Sequence, residues 1–369
     1  MTGVTGVTMR QVLAWRLRRQ FLDGGTPAEN AVRVADRLCG VQAQVASSAV
    51  LAVSVRTGRP AAAEIDTALR TDRSLVKMWA ARGTLHLLTP RDAALHCGLL
   101  GETRNWQQAA WLRNFGVTAQ DMDAVLGGIA ELLDGRVLTR EELVAELVEH
   151  TGSPHLAEAL QSGWGALLKP AAYSGLLCHG PSSGNRVTFT SPSSWLPGWR
   201  PVPPEEAGPE VVRRYLAAYG PATRNDVLNW LRRGVKVSPA KTWFAALGDE
   251  LVTVEVDGAP ASMLAEHLDE LAGAQPAASS VRLLGAFDQY VIAVDRSLIP
   301  AEHRAKVSRT AGWISPVVLH QGRIAGVWNL DGGRLAVELF GKVPKRALAA
   351  EANRVTELLG VAARLAVAP

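Results

Sequence analysis

Gln42 and Gln44, in the stretch Gly40-Val41-Gln42-Ala43-Gln44-Val45-Ala46, are the two side chains best spaced to act together on one small object. A glutamine carbonyl oxygen accepts hydrogen bonds and its NH₂ group donates two, but the side chain has no useful pKa. In a helix, residues i and i+2 point roughly 200° apart, whereas in extended chain they share a face. The pair lies between two runs that read as helices. The upstream run, Pro27 to Leu38, has proline in a first-turn position and Gly40 as a stop; the downstream run, Ala49 to Val55, follows Ser47 and Ser48, either of which can cap it. The connector therefore reads as short and extended, and both amides can converge on something the size of a water. The alternative is that they cap helix ends or satisfy buried backbone.

Other candidate chemistry is sparse. Cys39, Cys97 and Cys178 are odd in number and far apart, with no CxxC pair, so neither a disulfide framework nor a zinc site is suggested. Walker loop, dinucleotide fingerprint and zinc protease motif are all missing from the sequence, which argues against phosphoryl transfer, redox chemistry and metallohydrolysis. Neither a metal nor a cofactor is expected. Asp288 is the most tempting isolated carboxylate, but Phe287-Asp-Gln-Tyr290 reads as a motif that sets turn geometry, and no catalysis is assigned to it.

The chain has 369 residues, enough for two or three domains, with 47% hydrophobic and 20% charged residues, an ordinary globular balance. No apolar run approaches the roughly 18–20 residues of a membrane span. The first eight residues lack a signal pattern and read as a loose tail, which favours the cytoplasm. Of 39 basic residues seven are lysine, leaving 32 arginines. Arginine suits bidentate phosphate contacts, although a GC-rich genome yields the same excess without functional meaning.

Helices are expected over Met9 to Phe21, Pro27 to Leu38 and from Ala49, then a hairpin: strand Leu75 to Ala81, turn Arg82-Gly83, return strand Thr84 to Leu88. Helices followed by a hairpin describe a winged-helix unit, and the pattern recurs. Thr139-Arg-Glu-Glu142 is a capping box. A helix near Gly163 to Leu168 precedes a hairpin from Leu176–Gly180 to Arg186–Thr190. The Pro-rich stretch Leu196 to Pro204 marks a boundary. Helices over Val211 to Tyr219, from Thr223, and near Pro239 to Leu247 lead into the strand Leu251 to Val256. Beyond Val281 short strands dominate (Val281 to Leu284, Tyr290 to Val294, Ser315 to His320, Arg323 to Trp328, Arg334 to Phe340), with a helix closing the chain as a small barrel or sheet.

This order, with the motifs Val41-Gln-Ala-Gln44, Trp79-Ala-Ala-Arg-Gly-Thr-Leu-His86, Tyr219-Gly-Pro-Ala-Thr223 and Leu283-Leu-Gly-Ala-Phe-Asp-Gln-Tyr290, resembles the AlkZ/AlkX-like bacterial DNA glycosylases of the winged-helix superfamily. Each motif is short, but together they span most of the chain in the family's order. The resemblance implies an α+β fold of three tandem winged-helix modules (1–112, 113–200 and 201–262) and a C-terminal small β-barrel with a closing helix (263–369), C-shaped around DNA. It implies a monofunctional, cytoplasmic, monomeric glycosylase that hydrolyses N7-alkylguanine lesions in double-stranded DNA. The catalytic signature is Gln-apolar-Gln in one branch and Gln-apolar-Asp in another; this chain has the first form, the branch that includes self-resistance enzymes of organisms making DNA-alkylating antibiotics. The expected lesions therefore extend to bulky natural-product adducts and interstrand crosslinks.

The amide chemistry is consistent with that expectation. Two amides can position a water, and their oxygen dipoles can stabilise positive charge developing on the sugar. An N7-alkylguanine is already cationic and leaves neutral without an acid. The lysine nearest to the pair in sequence is Lys77, on the expected first wing, so no Schiff base is expected. Lys77, Arg82 and His86 on that wing, and Gln321 and Arg323 at the His320-Gln-Gly-Arg323 turn, are the expected DNA contacts, against the plainer reading that Arg82 and His86 cap a turn and satisfy a core hydrogen bond. Two alternatives stand beside the enzyme: a winged-helix regulator that binds DNA without chemistry, and a protein that sequesters the alkylator.

Overall fold

A computed structural model describes residues 5–162, 165–231, 237–275, 280–293 and 299–368. The fold is α+β, and the chain divides into two compact units, one of Met1–Ile65 with Val212–Pro369 and one of Asp66–Val211.

The first unit contains two sheets. In the smaller, Leu251–Val256 and Ala259–Leu264 form an antiparallel hairpin, and Thr5–Val7 adds in parallel to Leu251–Val256. Residues 5–7 are thus a strand rather than part of a loose tail. Val7 is buried with Val12, Trp15, Val254 and Met263, and Thr8 closes a capping box with Gln11 at the start of the Met9–Arg19 helix. The larger sheet runs Val281–Leu284, Val317–His320, Arg323–Asp331, Arg334–Leu339 and Arg364–Val367. A closed barrel was expected; among the described residues the first and last of these strands do not pair, and the sheet is open. The Lys345–Leu359 helix packs Leu348, Ala352 and Val355 into its core. That helix does not close the chain, because Arg364–Val367 returns in parallel beside Arg334–Val337.

Two further expectations change here. Tyr290 to Val294 was expected as a strand, but Gln289–Ala293 is a short helix, started by Asp288 accepting the Tyr290 N–H at 2.9 Å; Val294 lies outside the described residues. The Ala259–Leu264 strand has too little β-branched character to be expected from pattern, yet the Asp257-Gly258 turn, with both φ positive, folds it back on its partner.

In the second unit, five strands lie in the order Leu85–Leu88, Val76–Trp79, Cys178–His179, Thr188–Thr190 and Leu138–Thr139, antiparallel throughout. Both expected hairpins form, the second shorter than its pattern. The helix expected near Gly163 to Leu168 runs over Lys169–Tyr173 instead, with residues 163–164 outside the described range. The Pro-rich stretch 196–204 is packed rather than free: Val202 N–H donates to Ala94 O at 3.1 Å and Trp199 Nε1 to Pro90 O at 2.8 Å. Gly98 permits this approach, since a Cβ there would lie 2.0 Å from Val202 O.

Candidate active site

The glutamine pair lies in the first unit. The preceding helix, Ala31–Arg37, is shorter than expected: Asn30 caps it by accepting the Arg33 N–H at 2.7 Å, and Pro27 stands outside it. Cys39 and Gly40 then take positive φ values of 53° and 108°, and the Gly40 N–H returns to Ala35 O at 2.8 Å. This left-handed stop turns the chain into the two-residue strand Val41–Gln42. The next helix, Ala46–Thr57, starts at Val45 with no side-chain cap, so Ser47 and Ser48 sit inside its first turn instead of capping it. The connector is extended at Val41–Gln42 only; the chain bends at Gln44 and Val45 before the helix, so the extended run expected to carry both glutamines ends before the second one.

The two glutamines differ in environment. Gln42 is buried, 5% exposed, and its Oε1 has no hydrogen-bond partner among the described residues. Gln44 is exposed. Desolvating an amide oxygen without a partner costs about 1–3 kcal/mol.

Long-range bonds hold this segment on both sides. Upstream, Tyr219 Oη donates to Leu38 O at 2.7 Å, and Arg214 Nη2 donates to Asp36 O and Oδ1, both at 2.7 Å. Burial pushes the Asp36 carboxyl up, but the bonds and charges of Arg214 and Arg33 outweigh it and the net shift is downward. Arg16 bonds Gly220 O at 3.1 Å and Pro221 O at 2.9 Å, fixing the Tyr219–Thr223 motif to the Met9–Arg19 helix. Downstream, Arg56 of the Ala46–Thr57 helix pairs with Asp288 through two 2.8 Å bonds, with both side chains fully buried. Asp288 thus holds Arg56 as well as accepting the Tyr290 N–H, where its motif reads in sequence only as one that sets turn geometry. Two of the sequence motifs, Tyr219–Thr223 and Leu283–Tyr290, thus grip the residues before and after the glutamines. Gln289, 1% exposed, keeps both amide atoms without partners among the described residues, a second desolvated glutamine in this unit.

The other expected contacts fall in separate places. Gln321 and Gly322, with φ of 52° and 79°, form the two-residue turn between paired His320 and Arg323. Gly322 O accepts from Tyr290 Oη at 2.7 Å, and a Cβ on Gly322 would lie 2.9 Å from Leu13 Cβ. The turn is seated on the first helix, while Arg323 stays exposed. Lys77, Arg82 and His86 lie in the second unit. Arg82 sits in the Ala81–Gly83 turn with φ 58° and donates to His86 Nε2 at 3.3 Å, while His86 Nδ1 meets Thr84 O at 2.9 Å. Because guanidinium can only donate, Nε2 is the acceptor and Nδ1 carries the proton. His86 is 1% exposed, and burial, Arg82 and His96 hold it well below the usual histidine range. The imidazole is neutral and positions Arg82. Lys77 is half-buried, and burial lowers its pKa.

Arg56 is the residue that the motifs left out. Its signal was a lone cation inside the apolar run Ala49-Val-Leu-Ala-Val-Ser-Val-Arg56, which calls for a buried counter-ion. Among the described residues no group of His, Cys, Asp and Glu could hold a metal, and no helix is long and apolar enough to cross a membrane.

The family model described as "DNA glycosylase AlkZ-like" matches residues 35–364, and the chain belongs to that family: it is a DNA N-glycosylase. It is similar to the "Interstrand DNA cross-link repair glycosylase" of Streptomyces sahachiroi, 45% identical over 361 residues that cover 95% of this chain and 96% of that protein. Its structure is similar to that of the Streptomyces sahachiroi DNA glycosylase AlkZ, with a TM-score of 0.93 and 42% identity over 99% of this chain and 100% of that one. These findings support a repair glycosylase over a non-enzymatic DNA-binding regulator.

Proposed function

We propose that this glycosylase hydrolyses the N-glycosidic bond of cationic N7-alkylguanine in double-stranded DNA, with Gln42 and Gln44 as its catalytic pair. The buried Oε1 of Gln42, without a partner among the described residues, carries the proposal. A water donating to that oxygen is held by position, not by basicity. Its oxygen forms the bond to C1′ as the C1′–N9 bond breaks. The bonding pair moves into the guanine ring and cancels the charge placed there by alkylation, and the water's proton passes to solvent. Amide oxygens near C1′ stabilise the positive charge on the sugar, and a water-poor setting strengthens that effect. Lacking a general acid, the site suits lesions that leave as neutral bases. With Lys77 the lysine nearest to the pair in sequence, no Schiff base forms there, and the enzyme is monofunctional and leaves an abasic site.

The relative from Streptomyces sahachiroi is named for interstrand crosslink repair, and we extend that range, with bulky natural-product adducts, to this chain as DNA repair or self-resistance. We read the helix–hairpin groups as three winged-helix modules over 1–112, 113–200 and 201–262, followed by 263–369, in a cytoplasmic monomer. The hairpins at Val76–Leu88, 178–190 and 251–264, each preceded by helices, support this reading. Arg82 and Arg323 are the proposed DNA contacts with Lys77 and Gln321, and His86 acts through Arg82.

A duplex with one N7-methylguanine, followed by alkali and strand analysis, tests the proposal. At equal DNA occupancy, Gln42→Ala is expected to slow excision about 10²–10³-fold, the usual loss for one preorganised polar group, and Gln44→Ala to slow it as well. Excision unchanged in both variants overturns the assignment. Efficient release of uracil by the wild type overturns the restriction to cationic lesions.

A further inference from the structure

In the second unit a cavity of about 140 Å³ opens beside Lys77 and His179, several times the roughly 10–15 Å³ one water needs. The two residues face each other across the antiparallel pair Val76–Trp79 and Cys178–His179 and so lie on one face of the sheet. The cavity is also lined by Leu69, Val76, Pro181 and Trp195. Its single carboxylate, Asp66, is held by Arg70 at 2.7 Å. Among the described residues the Lys77 ammonium has no hydrogen bond or ion pair, although the side chain is half-buried. His179 Nε2 is buried and has no partner there either. The ring packs in a three-ring cluster with Trp79, at 5.3 Å, and Phe189, at 5.0 Å. Burial, Lys77 and Arg140 together push its pKa down to about 3, so the ring is neutral near pH 7.

An ammonium and a ring nitrogen without partners among the described residues, on two residues that line one cavity, are each costly alone. One ligand offsets both: an oxyanion that takes charge from Lys77 and an N–H from the neutral imidazole. We propose that this cavity is a phosphate-binding site, with the Lys77 ammonium supplying the charge and His179 Nε2–H the oriented donor. Low-polarity walls strengthen both contacts. The group is either a DNA backbone phosphodiester, a reading that rests on the proposed function, or a free phosphate, which does not depend on it.

Ring ¹H–¹⁵N correlations of His179 in the full-length protein test this. Inorganic phosphate and an undamaged 12-mer duplex are titrated separately against chloride at matched ionic strength, for wild type, Lys77→Met and Lys77→Arg. A saturable shift of His179 Nε2, lost in Lys77→Met and regained in Lys77→Arg, is expected with at least one titrant. For the diester, Lys77→Met should also reduce the slope of log K against log salt for duplex binding by about 0.9, one phosphate contact. A shift with inorganic phosphate alone and an unchanged slope assigns the site to free phosphate. No His179 shift with either titrant, in a protein whose thermal unfolding shows it folded, overturns the proposal and leaves a hydrated cavity. None of these readouts uses base excision, so failure here is distinct from failure of the glycosylase assignment.

Discussion

Asp288→Asn removes one charge from the Arg56–Asp288 pair while keeping the side chain's shape. In the wild type both side chains are fully buried and joined by two 2.8 Å bonds, and Arg56 Nη1 also donates to Ala52 O at 2.8 Å. Arg56 Nε has no partner among the described residues, so little else there balances the cation. Breaking a buried pair from one side costs about 3–5 kcal/mol, because the remaining charge stays desolvated. That is a large share of the roughly 5–15 kcal/mol that usually separates folded from unfolded protein. At about 2–4 °C per kcal/mol for a body of this size, the midpoint should fall by roughly 10 °C. Thermal and urea unfolding of Asp288→Leu, Arg56→Met and the double variant Arg56→Met/Asp288→Leu give a complete cycle, with Asp288→Asn measured beside it. The double variant should recover most of the loss, since an apolar replacement of both partners leaves no stranded charge. If both single variants unfold within about 1 kcal/mol of wild type, the pair is not the clamp described here.

Two glycine turns make a matched comparison. Gly322→Ala puts a Cβ 2.9 Å from Leu13 and from Tyr290 Oη at φ +79°, whereas Gly332→Ala at φ +52° meets nothing within 4 Å. The first should cost about 2–4 kcal/mol from strain plus overpacking and the second about 1 kcal/mol, read from urea midpoints; equal losses would mean that the first turn is not seated on the helix. Acid stability tests the neutral state of His86. Its folded pKa lies well below its unfolded value near 6.5, so the stability it contributes is complete above about pH 6.5 and is lost as pH falls toward the folded pKa. His86→Gln should flatten the decline below pH 6.5, which for one such group approaches about 1.4 kcal/mol per pH unit; an unchanged profile would show the ring to be charged or exposed.

The helices and hairpins were legible where periodicity and caps agreed, as at Thr139-Arg-Glu-Glu142, where the side chain of Thr139 accepts the Glu142 N–H at 3.3 Å. They were illegible where a tertiary partner decided the outcome. Thr5–Val7 is a strand because Val254 and its neighbours supply the ladder, and no local pattern in three residues reports that. The Gln289–Ala293 helix carries the β-branched residues Val291 and Ile292 that favour a strand, but the Asp288 side chain occupies the Tyr290 N–H that a ladder would need.

By itself the sequence determined the candidate pair, Gln42 and Gln44, and the chemistry two amides can do. Two amides one residue apart, with neither an acid nor a metal motif beside them in the sequence, can position a water but cannot protonate a leaving group. Only the tertiary structure decided how the two amides differ. Gln42 is buried with its oxygen unpaired among the described residues and Gln44 is exposed, between flanking helices that Tyr219, Arg214 and Asp288 hold from positions more than 150 residues away. Burial and hydrogen bonding depend on neighbours in space, and spacing along the chain does not record them.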